Sequence, residues 1–271
     1  MDTKLDQLNE ILRRTDGVLI AFSAGVDSTF LLKAAYLVLG ERAIALTASS
    51  PTAPPGELEA AKEFTQSLGC RHIVVDTNEL ANPSFAQNPA NRCFFCKDEL
   101  YRICRAQADQ LGVPTIVDGT NLDDLKDHRP GLKAAAEWGI RHPLVEARMT
   151  KDDIRRYSRE FNLATWDKPS SPCLSSRFPY GTEINLERLK KVAACELFLK
   201  QLHFREFRVR YHGDLARIEV SQNEFDRLFD KATRDAVVQQ FKAAGFNYVS
   251  LDLQGYRTGS LNEALRTKQT D

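Results

Sequence analysis

The chain has 271 residues, enough to bury a sizeable core and to divide into two domains. Its 37 basic and 37 acidic residues give a formal charge of zero, which argues against a strongly basic nucleic-acid-binding protein. The sequence has no apolar run long enough for a membrane span and no segment with the pattern of a secretory signal. We therefore expect a cytoplasmic globular enzyme with neither a nucleic-acid nor a membrane partner.

In the first half of the chain, short apolar runs alternate with amphipathic segments. Four apolar runs predict buried strands, at residues 17–23, 43–48, 72–76 and 114–118. Three amphipathic segments predict helices, at residues 28–39, 55–68 and 98–111. Strands and helices that alternate at this spacing indicate a parallel sheet covered on both faces.

The pattern changes in the second half, after a loop rich in proline and serine at residues 165–183. Before that loop, a T-x-x-D capping box at Thr150–Asp153 begins a helix. Beyond it, the pattern predicts a helix, a hairpin, a helix and a strand, at residues 186–202, 207–220, 223–244 and 247–253. The expected fold is therefore α/β, with a parallel-sheet domain (1–165), an active-site loop or linker (166–184) and a smaller C-terminal α+β domain (185–271).

A loop of small and hydroxyl-bearing residues joins the first predicted strand to its helix. We call this segment the phosphate loop, and it consists of Ser23, Ala24, Gly25, Val26, Asp27 and Ser28. The free N–H groups of the first helical turn, with the Ser23 and Ser28 hydroxyls, predict a phosphate site. Asp27 would repel a bare phosphate, so we expect it to hold Mg²⁺ bound to that phosphate. The competing interpretation is an ordinary strand-to-helix turn.

This loop resembles the S-G-G-x-D-S motif of the ATP pyrophosphatase (PP-loop) family, whose members split ATP into AMP and pyrophosphate to adenylate a carbonyl or carboxylate. The resemblance implies that residues 1–165 form an ATP-binding domain of the adenine nucleotide alpha hydrolase type. Ala24 stands where the family usually has glycine. Its Cβ is expected to narrow the approach of the phosphate and to exclude a positive φ.

An acidic loop, residues 118–131, follows the fourth predicted strand. Ligands of open α/β sheets bind at the carboxyl ends of the strands, so this loop is expected at the same edge as the phosphate loop. We expect Gly119 and Thr120 to approach the nucleotide, Asp127 to hold Mg²⁺, and Arg129 to stabilise developing phosphate charge. The alternative is a solvated acidic turn.

Three of the six cysteines stand in segments where chemistry is expected. Cys93 and Cys96 form a C-x-x-C before a predicted helix, and Cys173 is isolated in the proline-rich loop. Three thiolates on a [4Fe–4S] cluster leave one iron open to carry substrate or hydrosulfide. The competing interpretation is zinc at the C-x-x-C and a free Cys173. The other cysteines are expected to be core or surface residues: Cys70, Cys104 and Cys195.

Three further segments, Asp127–Gly131, Pro172–Gly181 and Phe207–His212, resemble the LarE family, and the resemblance covers essentially the whole chain. It implies an ATP-dependent sulfur transferase of nickel-pincer nucleotide biosynthesis that assembles as a hexamer, a dimer of trimers. Such enzymes adenylate a carboxylate of pyridinium-3,5-biscarboxylic acid mononucleotide and then replace oxygen with sulfur. Two rounds give the bisthiocarboxylic product that later receives nickel in lactate racemase.

The family has two sulfur sources. In one type a single cysteine, Cys173 by resemblance, attacks the acyl adenylate and gives up its sulfur, leaving dehydroalanine. In the other, three cysteines bind a [4Fe–4S] cluster whose open iron carries the sulfur. Cys93 and Cys96 favour the cluster type for this chain. In both types AMP is the leaving group and a soft sulfur nucleophile attacks the activated carbonyl.

Two arginines, Arg208 and Arg210, fall on one face of a predicted strand. They are interpreted either as a clamp for the substrate phosphate or as a solvated face with cross-strand pairs. Together with Ser176, Arg177 and Glu196, they resemble the anion site that LarE-like proteins have near a trimer interface.

Other functions share part of this pattern. A PP-loop tRNA thiolase also uses ATP and three cysteines, but it needs a basic surface that zero net charge disfavours. An ammonia-dependent amidating ligase leaves the three cysteines unexplained. A nucleotide-sensing module with a structural zinc would bind ATP without releasing pyrophosphate. We therefore expect a small-molecule nucleotide as the substrate.

Overall fold

The computed structural model describes residues 3–126 and 129–263. The chain divides into two compact units. The first unit contains residues 1–85 and 91–171, and the second contains residues 86–90 and 172–271. Asp127, expected to bind Mg²⁺, lies outside the described residues. Within the described ranges, no helix is both long and apolar enough to cross a bilayer.

The first unit is built on a four-stranded parallel sheet with the strand order β3-β2-β1-β4. The strands are β1 (Val18–Ala21), β2 (Ala43–Ser49), β3 (Arg71–Asp76) and β4 (Thr115–Asp118). The helices described up to Ser171 are α1 (Thr3–Arg13), α2 (Val26–Leu39), α3 (Glu57–Leu68), α4 (Pro83–Ala86), α5 (Arg92–Leu111), α6 (Gly131–Glu137), α7 (Pro143–Glu146) and α8 (Lys151–Glu160). The predicted α/β fold class is confirmed.

The central strand β1 separates two hydrophobic cores. Val18 and Ile20 face the core that α1, α2 and α8 build on one side of the sheet, whereas Leu19 and Ala21 face the core that α5 and α6 build on the other. Successive side chains of a strand point to opposite faces, so a strand buried on both sides is apolar throughout. This burial explains why the strand is a continuous apolar run in the sequence.

Two predicted helices have different limits in the structure. α5 begins at Arg92 rather than at residue 98, so Cys93 and Cys96 lie within its first turns and not before it. The helix predicted at 223–244 is interrupted at Asp230, whose carboxylate accepts a hydrogen bond from the Thr233 amide at 2.9 Å. An aspartate in this position starts a new helix because it satisfies a free N–H of the first turn.

The second unit contains a three-stranded mixed sheet, β5-β6-β7. β5 (Phe207–His212) and β6 (Leu215–Val220) form the predicted antiparallel hairpin, with Gly213 of its turn at a φ of +66°. β7 (Tyr248–Leu251) returns parallel to β6. The helices described in this unit are α9 (Leu186–Gln201), α10 (Phe225–Phe229) and α11 (Lys231–Ala243).

Candidate functional site

The loop between β1 and α2 carries a backbone conformation that the sequence did not predict. Ala24 has a φ of +54°, so the expectation that its Cβ excludes a positive φ is wrong. An L-residue other than glycine pays about 1–2 kcal/mol in the left-handed region. Gly25, at the N-cap of α2, is extended instead, with a φ of −79°. The surrounding contacts must therefore favour the left-handed Ala24.

The two serines of this loop contact each other across it. The Ser23 and Ser28 hydroxyl oxygens are 3.1 Å apart, and the Ser28 hydroxyl donates to the Gly25 carbonyl at 3.3 Å. The N-cap residue of α2 is Gly25, which has no side chain to accept a hydrogen bond from the first-turn N–H groups. The first-turn N–H groups of α2 and the two serine hydroxyls are therefore gathered at one helix start. This is the arrangement that binds a phosphate at a helix N-terminus.

Asp27, in the first turn of α2, is held by two side chains from distant segments. Its Oδ2 accepts from the Lys151 ammonium at 2.5 Å, and its Oδ1 accepts from the Asn121 amide at 3.3 Å. The sequence analysis did not identify Lys151. A single carboxylate suits Mg²⁺ that also binds substrate phosphates, because Mg²⁺ usually takes one or two protein carboxylates at such sites.

Gly119, directly after β4, lies against the start of α2. A Cβ placed on Gly119 would lie 2.8 Å from the Ser28 nitrogen and 3.2 Å from the Asp27 carbonyl carbon. Both atoms belong to the backbone and cannot rotate away. Only glycine therefore lets the loop after β4 approach the phosphate loop this closely. The adjacent Thr120 amide donates to the Asp118 carboxylate at 3.0 Å.

Asp118, the last residue of β4, is buried at the centre of a polar network. It accepts hydrogen bonds from the Tyr101 hydroxyl at 2.5 Å and from His142 Nδ1 at 2.7 Å. Burial alone would raise the pKa of Asp118, but the hydrogen bond from His142 and the charge of Lys97 outweigh it. They hold the pKa well below its usual value. The carboxylate therefore stays ionised and fixes the end of β4 beneath Gly119.

Lys168 is a second lysine that the sequence analysis did not single out. Its ammonium donates to the Ala24 carbonyl at 3.1 Å and to the Glu57 carboxylate at 2.7 Å. The segment that carries it is tied to α8, because Arg155 donates to the carbonyls of Trp166 and Lys168. A residue of the proline-rich segment thus contacts the phosphate loop directly.

Arg129, expected to stabilise phosphate charge, pairs with Asp124 at 2.6 Å and is about half exposed. Its side chain therefore remains partly accessible to a ligand from solvent. Its catalytic role stays a prediction.

The cysteines separate into accessible and buried thiols. Cys93 is exposed and Cys96 is half-buried, one helical turn apart in α5 of the first unit. Cys173, also half-buried, belongs to the second unit. Cys104 and Cys195 are fully buried core thiols, and burial raises the pKa of each to about 12. Over residues 3–126 and 129–263, no group of three or more His, Cys, Asp or Glu side chains is placed to hold a metal ion.

Arg177 anchors the loop that carries Cys173. Its Nε and Nη2 donate to the two Glu196 carboxylate oxygens, each at 2.8 Å. Its Nη1 donates to the carbonyls of Pro172 and Cys173 at 2.7 and 3.1 Å, and to the Ser176 hydroxyl. Arg177 is only 2% exposed, so this ion pair is shielded from water.

The two strand arginines are also buried, at 8% exposure for Arg208 and 6% for Arg210. The interpretation of this face as solvated is therefore wrong. Arg210 pairs with the fully buried Glu219 through two hydrogen bonds, at 2.9 and 2.8 Å. Arg208 lies 4.9 Å from the centre of the Tyr256 ring, and burial, with the charge of Arg177, lowers its pKa. The phosphate-clamp role of these arginines stays a prediction.

Comparison with known proteins identifies the family. No family model matches the chain. It is 46% identical over 265 residues to an uncharacterized protein of Synechocystis sp., covering 98% of this chain and 99% of that protein. It is 35% identical over 268 residues to the pyridinium-3,5-bisthiocarboxylic acid mononucleotide synthase of Lactiplantibacillus plantarum, covering 98% of this chain and 96% of the synthase. Because this identity extends over nearly the full length of both proteins, the chain belongs to the family of that synthase, the LarE family of enzymes.

Proposed function

We propose that the protein is an ATP-dependent sulfur transferase that converts pyridinium-3,5-biscarboxylic acid mononucleotide to its bisthiocarboxylic form. The observation that carries this proposal is the 35% identity to the synthase of L. plantarum over almost the whole chain. The loop between β1 and α2, with its uncapped helix start, supports ATP as the activating substrate.

In the first step, an oxygen of the substrate carboxylate attacks the α-phosphorus of ATP, and pyrophosphate leaves. The first-turn N–H groups of α2 and the Ser23 and Ser28 hydroxyls would bind the phosphates, with Gly119 and Thr120 beside them. Asp27 would hold Mg²⁺, and Arg129 would stabilise charge on the departing pyrophosphate. The product is an acyl adenylate, whose AMP is a good leaving group.

In the second step, sulfur replaces AMP on the activated carbonyl. Cys93, Cys96 and Cys173 are thiols that are not fully buried, and thiolates are the ligands that iron–sulfur clusters require. We propose that they hold a [4Fe–4S] cluster, which would supply a soft sulfur nucleophile. The alternative is that the Cys173 thiolate itself attacks and gives up its sulfur, so that each subunit acts once.

The C-terminal domain (185–271), together with the preceding loop (166–184), is proposed to bind the nucleotide phosphate of the substrate, and the C-terminal domain is proposed to form the hexamer. Ser176, Arg177, Glu196, Arg208 and Arg210 are the residues assigned to that phosphate. The buried guanidinium groups support this assignment only in part, because Arg177 and Arg210 already pair with Glu196 and Glu219. Light scattering of the purified chain tests the dimer of trimers.

The decisive experiment is iron and acid-labile sulfide content after anaerobic purification, together with product mass. We compare the parent with Cys173→Ser, and use Cys70→Ser as the matched control because a serine there retains the hydrogen bond to the Ala43 carbonyl. Stoichiometric iron and sulfide that are lost only in Cys173→Ser support the cluster. Zinc or no metal in the parent, with dehydroalanine at residue 173 after turnover, would assign the sulfur to Cys173.

The activation step is tested separately by AMP and pyrophosphate release with the biscarboxylic nucleotide. Release that requires this nucleotide supports the proposed function. Release that instead requires ammonia or tRNA would identify an amidating ligase or a tRNA thiolase.

A further inference from the structure

The ammonium of Lys168 contacts the one residue of the phosphate loop that has an unfavourable backbone conformation. It donates to the Ala24 carbonyl at 3.1 Å, although the two residues are 144 positions apart in the chain. Ala24 is 2% exposed and has a φ of +54°. For an L-residue other than glycine, the left-handed region is populated roughly tenfold less than the right-handed region. A contact that fixes the Ala24 carbonyl can therefore decide which of the two conformations the residue adopts.

Lys168 is itself fixed on two sides. Glu57, in the first turn of α3, accepts from the same ammonium at 2.7 Å, and both side chains of the pair are mostly buried. Behind it, Arg155 of α8 donates to the Lys168 carbonyl at 3.1 Å. The ammonium is therefore held at one place, and its charge is balanced by Glu57. The effect of the Lys168 ammonium on the phosphate loop therefore comes from the hydrogen bond that it donates to the Ala24 carbonyl, and not from added charge.

We propose that Lys168 is a positioning residue for ATP, which holds Ala24 in the left-handed conformation and so orients the phosphate loop. A trans peptide directs its carbonyl and its N–H to opposite sides. When Lys168 binds the Ala24 carbonyl, the N–H of Gly25 is directed to the other side of the same peptide, where it can donate to a phosphate. This inference rests on the proposed ATP site and adds the residue that shapes it.

The test is Mg-ATP titration by calorimetry on the full chain. Lys168→Met removes the ammonium and is expected to weaken ATP binding about tenfold, the penalty of the left-handed region. The same change in an Ala24→Gly background is expected to weaken binding less than about twofold, because glycine adopts this region without penalty. Lys191→Met, which removes the lysine of another Lys–Glu pair, is the matched control and should leave the ATP affinity unchanged.

An equal loss of affinity in the parent and Ala24→Gly backgrounds would overturn the proposal, since Lys168 would then act on ATP directly. Parent-like binding by Lys168→Met would overturn it as well. A crystal structure of ligand-free Lys168→Met gives a second readout: we expect residue 24 to leave the left-handed region, and a retained positive φ would contradict the inference. If the parent binds no ATP, the proposed function fails, while this structure still decides the role of Lys168.

Discussion

The buried ion pair between Arg177 and Glu196 predicts that removing one of its charges strongly lowers the free energy of unfolding. Glu196→Gln keeps the shape of the side chain but removes the charge that faces a guanidinium only 2% exposed. Both hydrogen bonds of the pair are 2.8 Å long, and the amide group of glutamine would turn a donor toward one of the Arg177 donors. Breaking such a pair costs about 3–5 kcal/mol, because a buried charge is left uncompensated.

Urea unfolding followed by far-UV circular dichroism measures this loss. The matched control is Glu187→Gln, which removes an exposed partner of Lys191 in the same helix and should cost less than about 1 kcal/mol. A loss for Glu196→Gln within about 1 kcal/mol of that for Glu187→Gln would refute the buried-charge argument. Arg177 also donates to the Cys173 carbonyl. We therefore expect Cys173 to be alkylated faster in Glu196→Gln than in the parent, as measured by a peptide-resolved assay.

Three further outcomes are expected elsewhere in the chain. Gly119→Ala would place a Cβ 2.8 Å from the Ser28 nitrogen, so it should lower stability by about 1–3 kcal/mol and weaken ATP binding; parent-like calorimetry would contradict the close approach. Because the pKa of Asp118 is lowered in the folded state, its stabilisation is complete above the unfolded pKa of about 4 and is lost as pH falls below it. Thermal melts should therefore show the stability gap between parent and Asp118→Asn shrinking below about pH 4, and a constant gap would exclude this linkage. In metal-free native protein, a thiol reagent should leave Cys104 and Cys195 unlabelled, and rapid labelling of either would contradict their burial.

The fold class and the family could be predicted because both depend on local patterns. β1 is buried on both faces, so Val18–Ala21 is an uninterrupted apolar run that predicts a strand of a parallel sheet. The hairpin turn at Gly213 gives an equally local signal. The expected resemblance to the LarE family rests on contiguous segments, and it is confirmed by the 35% identity to the synthase over 98% of the chain.

The predicted start of a helix was wrong where polar or aromatic residues form its first turns, as in α5. The start of α5 at Arg92 is not marked by a side-chain cap, since Asn91 accepts no such hydrogen bond. The apolar periodicity was recognisable only from residue 98. As a result, the C-x-x-C was predicted to precede the helix, although Cys93 and Cys96 lie within α5, spaced one helical turn apart on one face.

The side chains that shape the phosphate loop could not be predicted, because they approach it from far along the chain. Lys151 reaches Asp27 across 124 positions and Lys168 reaches Ala24 across 144, and no spacing in the sequence links either lysine to that loop. A local rule about alanine failed at Ala24 for the same reason. Backbone preference decides a conformation only when no tertiary contact competes with it, and here the half-buried Lys168 ammonium donates a hydrogen bond to the Ala24 carbonyl. Ala24 therefore shows how a side chain from far along the chain supports a backbone conformation that the local sequence disfavours.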